Sequence, residues 1–266
     1  MTHLLKIEWR KIAPNKTFWI LIILYAFILG SIFFGIQSFI ENTTSELQKE
    51  SSVKVPGISL YLFPDIWHNL AYLAGFFKIF LAFLMIILVT NEFGFKTSRQ
   101  NIASGLSREQ FMISKILVAL LISLFAVLFL LICGTVLGLM NTTNISANKY
   151  FGEFSFVFAY FWEVFVYLTF AVLIGFLVRK SGFGIALLLI YLIVESIIVY
   201  RLPENWKRIM PLEALSNLID VPNTALMKLA GINFLEYVPL NDLLISIGYW
   251  FVFMFAIYLI IKKSDL

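Results

Sequence analysis

The chain has 266 residues, of which 61% are hydrophobic and 17% aromatic, with a formal net charge of +4. Only 14% are charged, against about 25% in soluble globular domains, which excludes a soluble enzyme or carrier and points to a membrane protein.

The first 17 residues are basic. Leu5, Trp9 and Ile12 recur at i, i+4 and i+7, with Lys6 and Arg10 on the opposite side. This pattern predicts an N-terminal amphipathic helix over 2–14, lying in the membrane interface and anchored by Trp9, Arg10 and Lys11, before Pro14 redirects the chain.

Six apolar runs follow, at 18–40, 70–90, 116–140, 154–178, 183–200 and 243–261. At about 1.5 Å per residue each can cross a hydrocarbon core of about 30 Å, the fifth and sixth with little to spare. Barrel strands would alternate over about ten residues, whereas these runs are apolar on every face. The expected fold class is therefore an all-α membrane protein with six transmembrane helices. The first run ends in Phe39-Ile40-Glu41 and lacks a small-residue cleavage site, so it is expected to remain as a span. The longest connecting segment, 201–242, has 42 residues, too few for a sizeable soluble domain, so 1–266 is expected to be a single transmembrane domain.

The connections differ in character. Residues 41–69 are polar and turn-rich, with Pro56-Gly57 and Pro64. In 91–115, Thr97-Ser98-Arg99-Gln100 fits a capping box, Gly105 is placed to stop the helix it opens, and Ser107-Arg108-Glu109-Gln110 fits a second box leading into the third span. A helix of about two turns is thus expected between spans two and three. In 201–242, residues 204–209, 212–220 and 224–230 read as short amphipathic helices punctuated by Pro203, Pro211, Pro222 and Gly231.

Six spans put both termini on one side, and basic residues choose which. The side holding 1–17, 91–115, 179–182 and 262–266 carries 12 Lys/Arg and 4 Asp/Glu in 51 residues; the other carries 7 and 10 in 84. Cytoplasmic loops hold the excess of Lys and Arg, so both termini and the 91–115 connection are expected in the cytoplasm, and the 201–242 helices outside. The net charge thus reflects orientation, and no nucleic-acid partner is implied.

Catalytic chemistry is not legible. Gly94-Phe95-Lys96-Thr97 lacks the glycines of a phosphate-binding loop, His3 and His68 fall on opposite sides of the membrane, and Cys133 is the single cysteine. No catalytic, metal or cofactor-binding residue is expected in this chain. Three charges do lie within spans: Lys78, Glu163 and Glu195 sit about 12, 14 and 8 Å from the outer ends of their runs. Such groups cost several kcal/mol unless paired or hydrated, so they are expected to form one buried polar cluster, either locking helices or lining a substrate route.

Six spans, a basic amphipathic leader, an elbow after span two and a helical outer segment before the last span together resemble permease subunits of ATP-binding-cassette transporters of the second exporter type, a group that includes small antibiotic-immunity permeases. The resemblance is strongest over Glu92-Phe93-Gly94-Phe95-Lys96-Thr97-Ser98-Arg99-Gln100-Asn101, Gly105-Leu106-Ser107-Arg108-Glu109-Gln110-Phe111 and Lys115. It implies that the elbow is a coupling helix docking on a separate ATPase subunit, through Glu92, Lys96, Thr97, Arg99, Gln100, Ile102, Gly105, Ser107 and Arg108. It also implies a second permease subunit, identical or related, contact with membrane lipids, ATP and Mg held by the ATPase partner, and a place in a prokaryotic cytoplasmic membrane. Two competing readings are a self-sufficient ion or proton pathway on the three intramembrane charges, and a membrane anchor or sensor that transports nothing.

Overall fold

The computed structural model describes residues 2–50, 60–95, 97, 105–222 and 237–263. Every regular element among them is helical. In chain order these are α1 (Thr2–Ile12), α2 (Lys16–Glu50), α3 (Ile66–Gly75), α4 (Lys78–Gly94), α5 (Arg108–Asn141), α6 (Ala147–Phe151), α7 (Ser155–Val178), α8 (Ser181–Arg201), α9 (Glu204–Lys207), α10 (Pro211–Ser216) and α11 (Leu240–Lys263). By length and composition, five helices can cross a membrane; α3 and α4, bent by 47° at a short break, make a sixth when taken as one broken span.

Local chemistry sets several boundaries. The Asn15 side chain accepts from the Thr17 amide at 3.0 Å, capping the start of α2. Helix α2 then runs to Glu50, ten residues beyond its apolar run. Six of the ten added residues are Glu, Gln, Lys or Leu, good helix formers, so the helix outlasts its apolar run. Ser107 opens α5 with a complete capping box: its hydroxyl accepts from the Gln110 amide at 3.1 Å, and Gln110 Oε1 accepts from the Ser107 amide at 3.0 Å. Just before it, Gly105 holds φ at 99°, a left-handed value that side chains rarely tolerate. Helix α7 ends on Arg179 at φ 57°, whose amide returns to the Gly175 carbonyl at 3.0 Å.

The apolar run at 70–90 is not one straight helix. The chain enters earlier, at Ile66, and breaks around Phe76 and Phe77. There the Phe77 amide bonds Ala74 at 3.0 Å and the Phe80 amide bonds Phe77 at 3.1 Å, tight i to i−3 turns that interrupt the α ladder next to Gly75.

Helix α7 is the centre of the bundle. It packs against α3, α4, α5, α8, α10 and α11, and 72% of its spanning window is buried, against 17% for α8 and 22% for α2 and α11. Its sequence is apolar all round, as burial on every face requires. A close crossing with α4 depends on Gly175, where a Cβ would stand 2.8 Å from Val89 Cβ. Trp67 of α3 likewise lies over Gly134 of α5 and donates its indole N–H to the Tyr150 carbonyl at 2.6 Å.

Candidate functional site

At the end of the bundle that carries the N-terminal helix, four charges from three helices close into a ring. Lys115, about two turns into α5 and 2% exposed, donates to Glu92 Oε1 at 2.6 Å and to Glu8 Oε2 at 2.7 Å. Lys11 donates to the same Glu92 oxygen at 2.8 Å and to Glu8 Oε1 at 3.3 Å. Each carboxylate therefore meets both ammonium groups, and the ring is neutral overall. Ser114 adds a donor to Glu8 at 3.1 Å, and Thr97 donates to Glu92 Oε2 at 2.5 Å and to its carbonyl at 3.3 Å. Beside the ring is a cavity of about 220 Å³, lined in part by Ile12, Asn15, Asn91 and Phe95.

Such a ring is a fastening. Taking one partner from a buried pair strands the other, at about 3–5 kcal/mol, so α1, the end of α4 and the start of α5 cannot separate cheaply. Arg108 extends the fastening to a fourth helix: its guanidinium donates to the carbonyls of Ile261 at 3.2 Å and Lys262 at 2.8 Å in the last turn of α11.

Of the expected coupling residues, Glu92 and Thr97 meet in this network, Gly105 and Ser107 shape the entry to α5, and Arg108 reaches α11. Lys96, Arg99, Gln100 and Ile102 lie outside the described residues, as does the expected outer helix 224–230. In the leader, Trp9 and Arg10 are exposed, Trp9 packing edge-on against Trp19 at 6.3 Å, while Lys11 turns inward to the ring. Glu8 and Ser114 escaped the sequence reading. Glu8 did leave a signal, being the single acid among residues 1–17, at i−3 from Lys11.

The three intramembrane charges each find a buried partner. Lys78, at the first position of α4 just past the bend, pairs with Glu163 Oε1 from the middle of α7, and its ammonium lies 5.4 Å from the centre of the Tyr167 ring. Glu195 has different hydrogen-bond partners: its Oε1 accepts the amides of Leu212 at 2.6 Å and Glu213 at 3.0 Å. Both amides lie in the first turn of α10, whose N-cap Met210 makes no side-chain cap bond, so Glu195 supplies the cap from α8. Of the expected cluster, Lys78 and Glu163 form an ion pair at the bend, and Glu195 makes its hydrogen bonds to the start of a short helix.

A family model described as ABC-2 family transporter protein matches residues 2–266. No curated protein matches the chain.

Proposed function

The chain belongs to the ABC-2 family of transporter proteins, and from that premise we propose that it is the membrane-spanning subunit through which a separate ATPase drives a molecule out of or across the membrane. The observation that carries the coupling part is the ring of Glu8, Lys11, Glu92 and Lys115. Glu92 and Lys115 stand on either side of 96–104, so a push on that connection reaches α1, α4 and α5 together, and α11 through Arg108. Residues 97–104, which include Arg99 and Ile102, form the docking surface for the ATPase. Both termini are cytoplasmic, the α9–α10 segment is extracellular, a second permease subunit, identical or related, completes the assembly, and the membrane is that of a prokaryotic cell. ATP and Mg belong to the ATPase. A self-sufficient ion pathway on Lys78 and Glu163 fits less well, because the two groups neutralise each other at the bend.

The test is affinity purification of the tagged chain from its native host. An ATP-binding-cassette ATPase should accompany it, and Arg99→Glu with Ile102→Gly should release that ATPase while leaving membrane insertion intact. A chain that brings down no such ATPase, or a double variant that keeps it with full ATP turnover, would overturn the assignment.

A further inference from the structure

We propose that the cavity at the bend of the broken span binds a neutral hydrogen-bond donor, specifically a hydroxyl group carried on an apolar body. The cavity, about 80 Å³, lies between α3, α4, α7 and α10, and Tyr72, Gly75, Phe76, Lys78, Glu163 and Ser216 contribute to its walls. Glu163 is 2% exposed. Its Oε1 holds the Lys78 ammonium, whereas Oε2 is buried with no hydrogen-bond partner. A buried carboxylate oxygen without a donor is costly, so the site is one hydrogen bond short.

Lys78 decides what can supply it. Because its ammonium already neutralises Glu163, a second cation would face that ammonium with no negative charge left over. An anion would face the unpaired oxygen. An O–H group satisfies Oε2 and adds no charge. The remaining walls are largely apolar: Phe76 is 63% exposed beside the cavity, and Ile219 lines it from the segment after α10. Gly75 leaves the approach open, since a Cβ there would stand 3.6 Å from Oε2. The space holds a few waters, so an apolar chain bearing one hydroxyl can replace them and lie along Phe76.

A membrane lipid with a free hydroxyl and a freely diffusing long-chain alcohol offer the same chemistry, and the experiment separates them. The full-length protein in phosphatidylcholine nanodiscs is irradiated with a diazirine-bearing 1-decanol, with the matching alkane and with the matching primary amine, and labelled peptides are mapped. The alcohol should mark the Tyr72–Phe76 stretch about tenfold more than either control, the preference expected of one hydrogen bond to a charged group. Gly75→Ala keeps the ion pair and a sound helix yet narrows the space at Oε2, so it should cut alcohol labelling several-fold with little change in thermal midpoint. Lys78→Met with Glu163→Leu, which removes acceptor and counter-charge together, should abolish the preference. In phosphatidylglycerol nanodiscs, whose headgroups carry hydroxyls, suppressed labelling assigns the site to lipid and persistent labelling to a free alcohol; either supports the site. Equal labelling by alkane and alcohol would reduce the cavity to greasy surface, absence of labelling would leave it to water alone, and preference for the amine would refute the neutral-donor assignment.

Discussion

Glu8 and Lys115 are 107 positions apart in the sequence and joined by a hydrogen bond of 2.7 Å in the structure, with both side chains almost wholly buried. The contact makes the N-terminal helix part of the same body as the head of α5, rather than a loose raft beside it. It also makes the energetics of each partner dependent on the other.

That dependence is measurable. Lys115→Met leaves Glu8 and Glu92 facing Lys11 alone, and should cost about 3–5 kcal/mol, seen as a lowered thermal midpoint in detergent and a loss of monodisperse protein. Glu8→Gln with Lys115→Met leaves the balanced pair Lys11–Glu92 and should be the milder change. The double-mutant cycle should return a coupling of about 0.5–3 kcal/mol; simple additivity would show that the ring does not act as a unit.

Arg108 should govern the last turn of α11. With alanine there, the Ile261 and Lys262 carbonyls lose their charged donor. Hydrogen exchange over 258–263 should accelerate several-fold, in line with about 1 kcal/mol for a partly exposed charged hydrogen bond. Arg108→Lys, with a single ammonium in place of a fork, should fall in between. Unchanged exchange in Arg108→Ala would show that the last turn is held by other means.

Glu195 makes a similarly local prediction at the opposite end. Glu195→Ala removes the carboxylate that accepts from the Leu212 and Glu213 amides, and exchange at Leu212 above all should rise about tenfold, as expected for the loss of a hydrogen bond to a charged group. Glu195→Gln keeps a carbonyl acceptor and should be protected to an intermediate degree. Equal protection in all three proteins would mean that α10 is fixed by its apolar side chains alone.

The crossing of α4 and α7 should be intolerant of even one methyl group. Gly175→Ala puts its Cβ within 2.8 Å of Val89, and the atom met is itself a Cβ, unable to swing away. A loss of about 1–3 kcal/mol is expected, partly restored by Val89→Ala in the same chain, which removes the Cγ1 that is also met at 2.8 Å but keeps the Cβ. The comparison is made by thermal unfolding of the three variants, and a Gly175→Ala protein as stable as the parent would show that the two helices part easily.

How far the sequence was readable depends on how local each cause was. The Ser107–Gln110 capping box spans four residues and could be read directly. So could the helical class, because long runs apolar on every face leave no alternative. Lys78 and Glu163 were matched by depth alone, which works for opposite charges that must find each other in an apolar medium. The same depth argument drew in Glu195, whose hydrogen-bond partners are backbone amides exposed by a helix start; main-chain groups carry no letter in the sequence. The bend at Phe76 and Phe77 was hidden because both residues extend the apolar run. Glu8 was hidden because an acid three positions from a lysine on a basic helix looks like an ordinary solvated pair, and only the fold brings Lys115 to it.

The placement of α7 limits where anything can pass. A barrel of staves around a hollow could open like an iris, but here the hub is occupied by a helix that is buried over most of its length. In the transport role proposed above, a passage would run along the rim, on the less buried faces of α2, α8 and α11, with its other wall supplied by whatever lies against them.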